Sequence, residues 1–68
     1  MKQVSGREFA RILEQHGWKL SHIKGSHHIY MNPEINQIIS LPIHGNKPLR
    51  PGMLKNIMKI VGLSEDDI

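Results

Sequence analysis

The strongest constraint on this fold is a pair of helix signals, one near each end of the 68-residue chain. Ser5 and Glu8 have the S-x-x-E spacing of a capping box, and apolar residues at helical spacing follow them. Pro51 suits the first turn of a helix, and Gly62 suits the position just after a last turn. We therefore predict one helix over about residues 6–16 and a second that begins at Pro51 and is closed by Gly62.

Three short segments between these helices have the features of β-strands, at residues 18–24, 27–31 and 37–43. The turns that separate them are short enough for hairpins, which favours an antiparallel meander. Pro42 has no N–H to donate to a ladder, so the third strand is expected at a sheet edge. The predicted fold is α+β in the order α-β-β-β-α, with a three-stranded antiparallel sheet, two helices on one of its faces, and a single domain over residues 1–68.

The composition excludes several classes of protein. The chain has no cysteine, so disulfides, zinc–thiolate sites and a cysteine nucleophile are ruled out, and a reducing cytoplasm is the compartment that we expect. Its apolar runs fall far short of the roughly 20 residues of a membrane helix. The amino terminus also lacks the apolar core of a signal peptide, so no association with a membrane is expected.

The charge is unevenly distributed and indicates a polyanionic partner. Nine lysines and arginines oppose six aspartates and glutamates, which gives a net charge of +3. Three of the six acidic residues are Glu65, Asp66 and Asp67, so the rest of the chain is strongly basic. A basic body of this kind is suited to binding nucleic acid.

The number of histidines is high for this length, and the five are His16, His22, His27, His28 and His44. They lack the spacing of a metal site on a helix, and no carboxylate accompanies them at ligand spacing. His27 and His28 are adjacent on a predicted strand and should point to opposite faces, so they cannot easily share one ion. We therefore expect neither a metal ion nor a small-molecule cofactor. His44 is open to two interpretations, a phosphate contact or a solvated side chain.

The segment Gly25-Ser26-His27 places a glycine and a small hydroxyl before a histidine, where a turn meets a strand. Such a turn lets a phosphate approach the backbone, and the imidazole can accept a proton near neutral pH. RNA supplies its own nucleophile, the 2′-hydroxyl, so one positioned base with cationic side chains nearby could cleave it without a metal. The spacing alone favours a simpler interpretation, a turn followed by a strand with exposed histidines.

Three segments carry a resemblance to a known family: HGW at 16–18, GSHHIY at 25–30 and LPIHGNKPLRPGMLKNIMKIVGLS at 41–64. In this order, and at this chain length, they make the sequence resemble the HicA-type (YcfA-like) mRNA interferase toxins over nearly its whole length. The resemblance implies a fold similar to that of double-stranded-RNA-binding domains. It also implies translation-independent cleavage of mRNA and inhibition by a HicB-type antitoxin that covers the active surface.

The resemblance also implies roles for individual residues. The family's catalytic histidine corresponds to His27, and Gly25 is required in the same turn. We expect His27 to act as a general base toward the 2′-hydroxyl, while Gly25 and Ser26 shape a phosphate-binding turn. The expected RNA contacts combine this turn with Tyr30 and with basic side chains that could hold the phosphate backbone. They are Lys24, Gly25, Ser26, Tyr30, Lys47, Arg50 and Lys55.

The orientation of the second strand leaves a second candidate for the base. If Ile29 and Met31 point into the core, His27 begins on the core-facing side of the strand, while His28 and Tyr30 face outward. A bulge or a strand end can rotate a first residue, so His27 stays the first candidate and His28 the second.

The sequence therefore predicts a toxin endoribonuclease that cleaves mRNA without a metal ion. Such an enzyme releases a 2′,3′-cyclic phosphate and is indifferent to EDTA. One alternative is a non-catalytic RNA-binding module with the same fold. Another is a protein-interaction domain whose only partner is acidic.

Overall fold

The computed structural model describes residues 3–68, and its elements follow the predicted order α-β-β-β-α. They are α1 (Gly6–Gln15), β1 (Lys19–Lys24), β2 (His27–Asn32), β3 (Gln37–Pro42), α2 (Pro51–Val61) and a short 3₁₀ helix (Glu65–Asp67). The strands form one antiparallel sheet in the order β1-β2-β3, so β3 is an edge strand, as predicted. Within residues 3–68, no helix has the length and apolar character needed to cross a membrane.

Local hydrogen bonds define both ends of α1. The predicted capping box is present, because the N–H of Glu8 donates to Ser5 Oγ over 3.1 Å and the N–H of Ser5 donates to Glu8 Oε1 over 3.3 Å. At the other end Gly17 has a φ of 90°, which glycine adopts at little cost. The N–H of Trp18 then donates to the Leu13 carbonyl over 3.0 Å, and Trp18 is buried in the core.

A two-residue turn joins β1 to β2. Lys24 and His27 face each other across the two strands, with Gly25 and Ser26 between them. Gly25 has a φ of 61° and Ser26 has no positive φ, which is the signature of a type II′ hairpin turn. The turn sets the register of the hairpin, and with it the position of His27 at the beginning of β2.

Both helices pack against the same face of the sheet, as predicted. Tyr30 and its partner Ile39 project to one side of the paired strands and are buried together with Leu41. The helical side chains buried against them are Phe9, Ala10, Leu13, Leu54, Ile57 and Met58. The opposite face of the sheet is open, and Ile38 is 70% exposed there.

The predicted orientation of β2 is wrong. Tyr30 points into the core and is 2% exposed, whereas Met31 is 44% exposed on the open face. Because side chains alternate along a strand, His27 and Ile29 share the open face with Met31, and His28 lies on the core-facing side with Tyr30. The physical reason is the aromatic ring of Tyr30. Burial of the ring removes a large apolar area from water, and the hydroxyl can still form a hydrogen bond.

The partner of the Tyr30 hydroxyl is a carboxylate on α1. The hydroxyl donates a hydrogen bond of 2.9 Å to Glu14 Oε2. Burial of the ring, this hydrogen bond and the negative charge of Glu14, in decreasing order, raise the pKa of Tyr30 to about 12. The folded chain therefore favours the neutral phenol.

Alkaline pH should destabilise the fold through Tyr30, which is the single tyrosine of the chain. Its pKa is higher in the folded chain than the ordinary value of 10.0. The stabilisation is therefore complete below pH 10 and is lost as the pH rises from about 10 to about 12. Ultraviolet absorbance of the phenolate measures the titration of this one group, and chemical denaturation over the same range measures stability.

A matched variant separates the causes of this pKa shift. Glu14→Gln removes the negative charge but keeps an oxygen that can accept the hydrogen bond. It should move the pKa of Tyr30 back toward the ordinary value, with the ring still buried. Titration of Tyr30 at its ordinary pKa in the native wild type would contradict the buried contact with Glu14.

The amino terminus of α1 lies directly against the end of β3. Gly6 is buried, and a Cβ on it would come within 2.5 Å of the Pro42 carbonyl oxygen and 3.0 Å of Ile43 Cγ1. Only a glycine allows the two backbone segments to approach this closely. Gly52, in the first turn of α2, has open space at the same position.

Gly6→Ala should lower the free energy of unfolding by about 1–3 kcal/mol, because the added methyl group has to displace the backbone of β3. Gly52→Ala is the matched control and should raise the free energy of unfolding by about 0.5–1 kcal/mol, since alanine favours a helix over glycine. Urea denaturation followed by circular dichroism measures both. Equal effects of the two substitutions would mean that α1 does not pack this closely against β3.

Candidate functional site

A cavity of about 390 Å³ opens where β2 begins, β3 ends and α2 begins. The basic side chains that line it are His27, His44, Lys47 and Arg50. The rest of the wall consists of Pro42, Pro48, Leu49 and Met53. None of these lining residues is acidic, so an anion that enters the cavity meets no negative charge from its wall.

Strand pairing places His27 at this cavity. His27 is the first residue of β2 and lies opposite Lys24 on β1 and Pro42 on β3. The N–H of Ile43 donates to the Ser26 carbonyl over 2.9 Å, so His27 and Pro42 form a pair without mutual hydrogen bonds, in which the side chains lie close together. A proline fits there because that position donates no N–H to β2.

The loop between β3 and α2 carries two more of the basic side chains. The N–H of Lys47 donates to the His44 carbonyl over 3.1 Å and closes a turn in which Gly45 has a φ of 59°. Further along, the N–H of Leu49 donates to the Val4 carbonyl over 2.7 Å, and the Leu49 side chain is buried. The first bond shapes the loop around His44 and Lys47, and the contacts of Leu49 fix the loop to the body of the protein.

Among residues 3–68, no side chain caps the first turn of α2. Arg50 occupies the N-cap position with an extended backbone, and Pro51 follows as the first helical residue. The uncapped N–H groups of a first turn carry partial positive charge. They add to the charge of the Arg50 guanidinium beside the cavity, where an anion would be stabilised.

The basic side chains of the cavity are available to a ligand. All four are exposed. Within residues 3–68 none of them is held in a hydrogen bond or an ion pair by another part of the chain. In the same part of the chain, no three histidine, aspartate or glutamate side chains come together as a group that could hold a metal ion.

The cavity brings together three of the residues predicted from the sequence: His27, Lys47 and Arg50. Two further predicted residues, Gly25 and Ser26, form the turn directly before His27, and Lys24 pairs with His27 across that turn. A Cβ on Gly25 would meet no atom within 4 Å. This glycine therefore serves the backbone conformation of the turn, and the space above it is open.

Other residues predicted for the site lie elsewhere: His28, Tyr30 and Lys55. His28 is half-buried on the core-facing side of the sheet, so it points away from His27, as the alternation of side chains requires. Tyr30 is buried in the core and does not line the cavity. Lys55 is exposed on α2 but does not line the cavity.

His44 lines the cavity. From the sequence alone, this residue could be either a phosphate contact or a solvated side chain. The signal that could have found it is the register of the sheet. In an antiparallel hairpin the end of one strand lies beside the beginning of its neighbour. His44 is two residues beyond Pro42, the partner of His27, and both histidines line the cavity.

A comparison with protein families agrees with the resemblance seen in the sequence. The family described as the HicA toxin of bacterial toxin–antitoxin systems matches residues 6–63, from the first residue of α1 to just beyond α2. This chain belongs to the HicA toxin family. As a HicA toxin it is one component of a toxin–antitoxin system, in which an antitoxin is its partner. No curated protein sequence matches the chain.

Proposed function

We propose that this HicA toxin is an endoribonuclease that cleaves mRNA without a metal ion, with His27 as the general base. The observation that carries the proposal is the exposed His27 side chain in a cavity with three further basic side chains and no acidic one. A cavity of this charge suits a phosphodiester. An imidazole without a partner in the protein suits removal of a proton from the substrate.

The reaction requires only groups that the cavity provides. The imidazole of His27 takes the proton of the 2′-hydroxyl, and O2′ attacks the adjacent phosphorus. The bond from phosphorus to O5′ breaks and O5′ takes up a proton. One fragment then ends in a 2′,3′-cyclic phosphate and the other begins with a 5′-hydroxyl. Lys47 and Arg50 oppose the negative charge that gathers on the phosphoryl oxygens.

The turn before His27 extends this binding surface. Gly25 leaves open space above the backbone, and Lys24 stands at the end of β1 beside it. A neighbouring phosphate of the RNA would lie along this turn, within reach of Lys24 and of backbone N–H groups. Such contacts hold the RNA backbone and carry little sequence information.

In this proposal the antitoxin is of the HicB type and the toxin acts in the cytoplasm, where mRNA is found. An antitoxin that covers the cavity would block His27 and exclude mRNA at the same time. Its contact surface is expected to be acidic, because the wall of the cavity offers basic and apolar side chains only.

A non-catalytic RNA-binding module is the second candidate function. The same unpaired basic side chains favour RNA binding whether or not cleavage follows. The two candidates differ in what the loss of the His27 imidazole changes. If the protein is an enzyme, loss of the imidazole abolishes RNA cleavage and leaves RNA binding intact. If it is a binding module, both the wild type and the variant bind RNA without cleaving it.

Replacing His27 with alanine should abolish toxicity. Induced expression of the wild type is expected to arrest growth and degrade mRNA, and His27→Ala is expected to relieve both effects. With purified protein and single-stranded RNA, loss of the general base should slow cleavage by about 10²–10⁴-fold. His28→Ala should retain cleavage, because that side chain lies on the core-facing side of the sheet.

Fluorescence anisotropy with labelled RNA provides the control, since retained binding by His27→Ala shows that the variant folds and reaches its substrate. Relief of growth arrest by His28→Ala alone would transfer the role of base to His28. Intact RNA in every form, with binding retained, would favour the non-catalytic module. Cleavage that stops on addition of EDTA would contradict the metal-free mechanism.

Lys47→Ala should weaken RNA binding most strongly at low salt. Loss of one phosphate contact to single-stranded RNA should reduce the slope of the logarithm of the association constant against the logarithm of salt concentration by about 0.7. Lys59→Ala is the matched control, because it removes an exposed lysine of α2 outside the cavity. Equal salt slopes for the two variants would place the RNA elsewhere on the surface.

A further inference from the structure

We propose that His44 is the general acid of this reaction and gives its proton to O5′ as the bond to phosphorus breaks. The inference rests on the proposed ribonuclease function and adds a second catalytic residue to it. His27 and His44 line the same cavity but come from different segments, the beginning of β2 and the loop after β3.

The geometry of the reaction favours two proton-transfer groups. In an in-line displacement O2′ and O5′ lie on opposite sides of the phosphorus. One imidazole would have to serve the two oxygens in turn, whereas two imidazoles from separate segments can serve one oxygen each at the same time. An alkoxide is a poor leaving group, so an acid that protonates O5′ contributes about 10²–10⁴-fold in rate.

Backbone hydrogen bonds hold the two histidines on neighbouring segments. The N–H of Ile43 donates to the Ser26 carbonyl over 2.9 Å, and His44 and His27 directly follow these two residues. The N–H of Lys47 holds the other side of His44 by its bond to the His44 carbonyl. The main chain of His44 is therefore fixed on both sides, while its side chain stays exposed.

The other histidines lack this position. His16 is the C-cap residue of α1, and His28 is half-buried on the core-facing side of the sheet. His22 lies on β1 with its Nδ1 3.2 Å from Ser21 Oγ. All five histidines fall within residues 3–68, and among them only His27 and His44 line the cavity.

The remaining basic residues of the cavity have a different role. The guanidinium of Arg50 does not release a proton in proteins, so it can only stabilise the charge on the phosphoryl group. Of the basic residues other than the two histidines, Lys47 is the one lining the cavity that could donate a proton. A test of His44 therefore has to include Lys47 as a competing acid.

The test replaces the leaving oxygen with sulfur. A site that the wild type cleaves is first mapped in a mixed-sequence single-stranded RNA, and the same RNA is then synthesised with sulfur in place of O5′ at that site. A thiolate leaves without a proton. His44→Ala should slow cleavage of the oxygen linkage by about 10²–10⁴-fold and have a far smaller effect on the sulfur linkage. His27→Ala should slow cleavage of both linkages, because the 2′-hydroxyl still needs a base.

The pH dependence of cleavage gives an independent measurement. The wild-type rate should fall at low pH, where the base is protonated, and at high pH, where the acid has lost its proton. His44→Ala should lose the fall at high pH and keep the fall at low pH. His16→Ala, outside the cavity, is the control and should match the wild type with both linkages. Circular dichroism and thermal unfolding of His44→Ala and His44→Asn establish that the variants fold.

The possible results separate this inference from the function on which it rests. If sulfur does not rescue His44→Ala, His44 is not the acid, while the ribonuclease function stands as long as the wild type cleaves and His27→Ala does not. Rescue of Lys47→Ala instead would give the role to Lys47 and overturn the inference in the same way. If the wild type leaves RNA intact, the proposed function fails and the inference fails with it.

Discussion

The burial of Tyr30 is the constraint on which the rest of the site depends. Its ring fills the core and its hydroxyl binds Glu14, so β2 cannot shift by one residue without exposing the ring and breaking that hydrogen bond. Because side chains alternate along a strand, the same choice places His27, three positions earlier, on the open face. The contact that fills the core is thus also the one that exposes the proposed base. Within residues 3–68 no residue other than glycine has a positive φ, so this exposure requires no strained backbone there.

The pairing of β2 with β3 then assembles the cavity from distant parts of the chain. It brings Pro42 beside His27 and joins Ile43 to Ser26 by a backbone hydrogen bond. Gly6 packs against the Pro42 carbonyl, so the amino terminus of α1 supports the part of the cavity wall that Pro42 forms. Stability and the proposed chemistry therefore depend on the same few contacts at the end of β3. A change that loosens α1 from β3 would also loosen the segment that carries the wall of the cavity.

Sequence patterns predicted the features that local physics decides. The capping box at Ser5, the glycine that closes α2 and the glycine turn before His27 are each set by neighbours within a few residues, and all three were predictable. The orientation of β2 was not predictable in this way, because Ile29, Tyr30 and Met31 are all apolar enough to face a core. Glu14, which lies 16 residues before Tyr30, favours the orientation that buries Tyr30. The alternation of side chains within one strand carries no information about this distant contact. The place of His44 in the cavity likewise depends on strand register, which is a non-local property.

The electrostatics of the cavity explain how so small a domain tolerates an unpaired basic cluster. The basic side chains of the cavity are exposed, so water weakens the repulsion between charged ones, and salt screens it at separations beyond about 8 Å at physiological ionic strength. When a polyanion covers the cavity and displaces water, the same charges act through a lower dielectric and attract more strongly. Repulsion among the basic side chains therefore destabilises the free protein little. Their attraction for a polyanion becomes strong when the polyanion occupies the cavity. Under the proposed function, an antitoxin that presents carboxylates to these side chains would attract the same charges as an RNA phosphate, so antitoxin and RNA would compete directly for the cavity.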